Sequence, residues 1–188
     1  MLAPNALRLL DKLGLCTKLS AQGFNLEYMV QRNDHHEELS QCYIGNKEVY
    51  GYKTLRVPRQ KVVSTLQEAA REQGVKMIFG RKFVSVIGES EHAVNFKFKG
   101  GSTETADLLI SADGIHSFGR EHVLPDIRSV YTSRIVISAV VPTSTIRLPH
   151  KDYTLPAGLI TPRGGFLIIP HTPSGDEVML GIKYGIEE

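Results

Sequence analysis

The chain is short of the features that announce most ligand sites. None of its 17 glycines falls in a G-x-G-x-x-G run, and no glycine-rich loop ends in Lys-Ser/Thr. Neither of these two phosphate cradles is therefore written into these residues. G-x-S-x-G and H-E-x-x-H are missing too, which removes the serine-elbow and helical-zinc signatures. Cysteine is limited to Cys16 and Cys42, with no C-x-x-C spacing. Free thiols are expected, not a disulfide or a metal site. The formal charge is only +2 and no basic run exceeds a few residues, so nucleic acid and polybasic membrane contacts are discounted. The longest apolar stretch, Ile135 to Val141, is broken by Ser138 and is far short of the roughly 20 residues of a membrane span. No basic-then-apolar leader opens the sequence, and a cytoplasmic location is the expectation.

What is present is enough for a folded core. With 188 residues and 41% hydrophobic content, such a chain can bury roughly 70% of the surface its unfolded form exposes. Residues Pro4 to Leu13 place Leu7, Leu10 and Leu13 at helical spacing, with Gly14 as a stop. Residues 24–31 alternate Phe24, Leu26, Tyr28 and Val30 on one side and predict a half-buried strand. Residues 33–40 read as a polar turn. The His35-His36-Glu37-Glu38 run within them is a solvated loop, because adjacent side chains in an extended segment point to opposite faces. Residues 41–57 predict another strand or pair. Pro58 then opens a helix with Val62, Leu66, Ala69 and Ala70 on one face and Gly74 at its end. Arg59 stands in the first turn, where the helix dipole disfavours a cation unless an anionic or carbonyl partner is near. Strands are expected at 75–79, 82–88, 92–98 and 103–110, with Gly100-Gly101 as a hairpin turn. Further strands are expected in 130–141, 153–161, 165–170 and 177–184.

The most informative stretch is ADLLISADGIHSFGR, residues 106–120. Leu108-Leu109-Ile110 predicts a buried strand that delivers Asp113-Gly114 to a helix capped by Ser117. Dinucleotides bind beyond the carboxyl ends of such strands, where a helix N-terminus offers free N–H groups. Gly114 lets a backbone approach a phosphate closely, and Asp113 can accept from a hydroxyl. The same dipeptide also serves as ordinary turn chemistry. His116 and His122, six residues apart, share no helical face for two metal ligands.

This stretch resembles the Asp-Gly motif of the single-component FAD-dependent aromatic hydroxylases, the salicylate and p-hydroxybenzoate hydroxylase-like monooxygenases. Ala106 to Ile110, Ala112 to Ser117 and Arg120 match the pattern, and Ser111 stands where glycine is usual. Residues 2–15, LAPNALRLLDKLGL, and 56–74, RVPRQKVVSTLQEAAREQG, resemble two helices of the same family in the same order.

The resemblance implies an α/β (α+β) fold: a partial FAD-binding, doubly wound domain with a crossover β-sheet over residues 1–128, and part of a β-rich substrate domain over 129–188. Strands within 23–57 are expected on the substrate side. It implies FAD as cofactor, NADPH or NADH as reductant, and O₂ with a small, aromatic substrate as reactants. Arg59, Asp113 and Gly114 are implied as cofactor-binding residues. No catalytic acid or base is implied; Tyr28, Tyr43, Tyr50, Tyr52, Tyr131, Tyr153 and Tyr184 are unranked. The family's N-terminal G-x-G-x-x-G and its later Gly-Asp followed by small residues are missing, which implies an internal piece of such a protein. The alternatives are a non-catalytic or partner-dependent remnant, and an epoxidase- or halogenase-like flavoprotein.

Overall fold

In the computed structural model, which describes residues 1–185, helices α1 (Pro4–Lys12) and α2 (Cys16–Ser20) come first. Strands β1 (Phe24–Leu26), β2 (Tyr28–Arg32) and β3 (Glu38–Tyr43) follow. Next are α3 (Lys47–Tyr50), β4 (Thr54–Arg56) and α4 (Arg59–Glu72). The middle of the chain forms β5 (Phe83–Glu89), β6 (Val94–Phe98), β7 (Thr103–Ala106) and α5 (Phe118–Val123). The last strands are β8 (Arg134–Pro142), β9 (Ala157–Thr161), β10 (Gly164–Pro170) and β11 (Glu177–Gly185). They belong to two compact units, Met1–Val75 with Ser133–Glu188, and Lys76–Thr132. The class is mixed α and β.

Proline at the first turn of α1 costs nothing, because that N–H has no intrahelical partner. Leu7 and Leu10 turn inward while Leu13 is exposed, and Gly14 at φ +71° ends the helix. The apolar face of α1 meets Cys16 and Leu19 of α2 and Leu55 and Val57 around β4, with Val62 of α4 packed against them. On α4 the buried position is Thr65, whereas Leu66 is exposed.

The apolar alternation over 24–31 is real, but it serves two sheets. Leu26 belongs to β1, which pairs with β4, while Val30 belongs to β2 in a six-stranded sheet of order β3-β2-β9-β10-β11-β8. The chain changes sheets between Leu26 and Tyr28, so a single strand is corrected to two. The 41–57 segment is likewise corrected. Asn46 caps a short helix by accepting from the Val49 N–H at 2.9 Å, and Gly51 closes it in the left-handed region. In the six-stranded sheet every pairing is antiparallel except β2 with β9. The strands of 28–43 and those of 134–185 thus share one sheet.

One end of that sheet is fastened by Arg32, whose side chain is 8% exposed. Its guanidinium lies 4.6 Å from the Tyr153 ring centroid and donates to the His36 carbonyl at 3.1 Å. Glu38 stands 3.8 Å away. His36 sets its ring edge-on to Tyr153, whereas His35, Glu37 and Glu38 of the same run are exposed, as a solvated loop requires.

In the Lys76–Thr132 unit, β5, β6 and β7 form an antiparallel sheet with Gly100 and Gly101 at positive φ in the last hairpin. Phe96 is buried there between Phe83 and Phe98. One expected strand is absent, and the strand expected over 103–110 ends with β7 at Ala106. Residues 75–79 and 108–110 carry no ladder, and Leu108 and Ile110 are 72% and 80% exposed. Apolar residues fix a preference for burial, but a strand also needs a neighbour, and the described residues supply none at these two places. Among the described residues no helix is long and apolar enough to cross a membrane.

Candidate functional site

The Asp-Gly turn is built around one carboxylate. Asp113 accepts from the Ser111 hydroxyl at 2.5 Å, from the Ser117 hydroxyl, and from the Phe118 N–H at 2.8 Å. Ser117, the N-cap of α5, accepts in turn from the Arg120 N–H at 2.9 Å. The Ser111 and Ser117 hydroxyls and the Phe118 N–H hold the Asp113 carboxyl well below the usual carboxylate range. Asp113 is therefore an anion that orders its own turn. Ser111, in the position where glycine was expected, is one of its donors.

Gly114 follows at φ +87° with nothing within 4 Å of where a Cβ would stand. That leaves its backbone open to a ligand in a conformation few other residues adopt. Beside it runs an open cleft of about 680 Å³ whose lining includes Arg81, Lys82, Asp113, His116 and Phe118. Arg120 reaches back to donate to the Ile115 carbonyl at 2.7 Å. His122 pairs with Glu89.

Gly119 carries a role the sequence did not reveal. A Cβ there would fall 2.1 Å from Ser111 Oγ and 2.3 Å from Ser111 Cβ, so the first turn of α5 lies directly on Ser111. Alanine gains roughly 1 kcal/mol over glycine inside a helix, yet this overlap dominates. Gly119→Ala is expected to lower stability by about 1–3 kcal/mol, and adding Ser111→Gly is expected to restore most of it. Urea unfolding of the single and double variants reads both effects; absence of rescue would place the clash elsewhere.

Arg59 lies in the other unit, at the first position of α4 after Pro58. Its side chain is exposed and forms no ion pair or hydrogen bond among the described residues. A cation at this helix end gains from an anionic partner. Asp113 and Gly114 thus share one turn, and Arg59 is placed on a helix of the first unit.

Solved structures share this fold. HpxO of Klebsiella pneumoniae, solved with FAD and uric acid, superposes with a TM-score of 0.75 at 21% identity over 99% of this chain and 46% of that one. CtdE, solved with FAD and a substrate, gives 0.76 at 17% identity over 100% and 47%. These likenesses define the fold. The family itself is given by sequence: residues 1–182 match the FAD binding domain family, and the chain belongs to it. A 6-hydroxynicotinate 3-monooxygenase of Bordetella bronchiseptica is 31% identical over 145 residues, covering 76% of this chain and 37% of that protein. Its namesake in Pseudomonas fluorescens is 30% identical over 147 residues, covering 77% and 37%. The chain thus spans well under two thirds of the length of these relatives.

Proposed function

We propose that this chain supplies flavin-contacting residues and part of the substrate-facing sheet of an FAD-dependent monooxygenase, one that uses NADPH or NADH and O₂ to oxygenate a small aromatic substrate. The match to the FAD binding domain family along residues 1–182 carries this reading. In it, residues 1–128 belong to the FAD side, and 129–188 with β2 and β3 to the substrate side. The residues present fit the cofactor in part. Arg59 is an exposed cation without a partner among the described residues, and the Gly114 backbone is open. The Asp113 carboxylate, by contrast, is already engaged by its own turn. Bound flavin supplies the electron transfer and oxygen activation. This chain's part is to bind and orient: Arg59 attracts an anionic group of the cofactor, Asp113 keeps the turn rigid, and Gly114 permits close approach. The apolar strands keep water from the reacting centre.

Incubating the purified chain with excess FAD, then desalting and recording visible absorbance, tests the proposal. Retained flavin supports it. Arg59→Ala is expected to weaken FAD binding by about 1–3 kcal/mol, the scale of a charge-assisted contact; an unchanged affinity removes Arg59 from the site. A second reading, a flavoprotein piece that binds only after a partner chain pairs with it, is favoured by the exposed Leu108 and Ile110. A colourless protein would select it.

A further inference from the structure

The two edges of the six-stranded sheet are built differently. β3 is six residues long, carries Glu38, and meets β2 through a register shift beside Gln31 and Arg32. A charge, a short span and a bulge all keep an edge from pairing with another chain. β8 has none of them. It runs nine residues from Arg134 to Pro142 in unbroken register with β11, with no charge, glycine or proline between those ends. Val136, Ile137 and Val140 are 63%, 56% and 44% exposed.

The hydrogen-bonding groups on that edge can be assigned. Thr143, directly after β8, donates its N–H to the Asp176 carbonyl at 2.7 Å and continues the ladder with β11. Successive residues of an antiparallel strand turn their backbone groups to opposite sides. The odd-numbered residues of β8 therefore face β11. Arg134, Val136, Ser138 and Val140 present their N–H and C=O groups to the open side, where no strand pairs with them among the described residues.

We infer that β8 is a homodimer interface, at which a second copy of this chain pairs antiparallel, edge to edge, about a two-fold axis at Ser138. In that register Val136 stands opposite Val140, Ile135 opposite Val141 and Ile137 opposite Ala139, so apolar side chains meet on both faces. All nine residues take part, and any shift shortens the pairing. Pro142 has no N–H to give, but it falls at the end, where its carbonyl accepts from Arg134 of the second copy. The charges also match. On its own β11 neighbour Arg134 meets only Gly185, while Pro142 meets Glu177. Arg134 of one copy and Glu177 of the other thus lie in one row on one face, either side of Pro142. Their Cα atoms would be about 10 Å apart, two strand spacings, which the two long side chains bridge. Neither residue has an ion-pair partner among the described residues, and the two-fold axis forms the pair twice.

Sedimentation equilibrium of the 188-residue chain over a range of concentrations tests this, and a monomer–dimer equilibrium is expected. Ser138→Pro removes one outward N–H from each copy and leaves the β11 ladder whole. It is expected to raise the dissociation constant about tenfold or more. Gln41→Pro is the matching change on β3, where the Ile44 N–H bonds inward to Glu27 and position 41 faces outward; it is expected to leave the dimer intact. Two double variants read the register. Val136→Lys with Val140→Lys sets like charges opposite each other and is expected to give monomers, whereas Val136→Glu with Val140→Lys sets opposite charges together and is expected to keep the dimer. Urea midpoints report that each variant is folded. These double changes are on exposed side chains, so they decide the matter even if the proline variant unfolds. A monomer at every concentration, association beyond a dimer, a folded Ser138→Pro that still dimerises, loss of the dimer with Gln41→Pro, or equal behaviour of the two double variants overturns the proposal.

Discussion

Leu55→Ala is expected to destabilise the chain by about 3–5 kcal/mol, a large share of the roughly 5–15 kcal/mol that holds an ordinary domain together. Leu55 is 0% exposed and sits among Leu7, Leu10, Leu19 and Val57. Its backbone also exchanges hydrogen bonds with Leu2 at 2.8 and 2.9 Å, so the strand is fixed and cannot collapse into the cavity. The neighbours that would have to close it come from two helices already seated against β4. A fall in the urea midpoint reads the loss, and Val63→Ala, at a 44% exposed position, is the comparison expected to stay within about 0.5 kcal/mol. Equal effects at the two positions would mean that the α1–α2–β4 core is not where this unit gets its stability.

Arg32→Ala is the second change expected to be severe, at about 3 kcal/mol. Three losses combine: stacking on Tyr153, a bond to the His36 carbonyl, and the volume of a long side chain packed at the sheet end. The Glu38 interaction adds little, since Glu38 is half exposed and solvent can take over. Arg32→Lys keeps the charge but not the flat guanidinium, and an intermediate loss is expected. Chemical denaturation of both variants decides the matter. A cost below about 1 kcal/mol for alanine would show that the His36 turn and Tyr153 stay in place without the arginine.

Local chemistry made parts of this molecule legible in the sequence. Proline before glycine-terminated apolar periodicity gave α1 and α4, the Gly100-Gly101 pair gave the hairpin, and Ser117 gave the cap of α5. Each signal is short-range, so the residues that decide the outcome are adjacent in the chain. The failures have the opposite character. Alternation across Phe24, Leu26, Tyr28 and Val30 reports which side chains avoid water but not which sheet receives them. Leu108 to Ile110 read as a buried strand because the run is apolar, and burial depends on a neighbour that the run cannot specify.

The candidate site divides in the same way. Asp113, Gly114 and Arg59 stand in recognisable local patterns, and Ser111 was visible as a departure from one of them. Gly119 is marked by no local pattern, since its significance depends on Ser111 packed against the first turn of α5.

The pairing of β2 with β9 joins residues 30–32 to residues 157–159, and this governs when the sheet can form. During synthesis, β2 and β3 emerge as a hairpin long before their neighbour exists. Ribosomes add about 5–20 residues per second, so that hairpin waits for several seconds or more with one edge unpaired. Non-local parallel pairing is slow even after the chain is complete. The late strands β8 to β11 pair antiparallel among themselves, β9–β10 and β10–β11 as sequence neighbours and β8 with β11, apart from this one closure. They can assemble first and then capture the waiting hairpin. Truncations ending before Ala157 would leave β2 exposed, and nascent chains of that length are the form of this protein most in need of a chaperone.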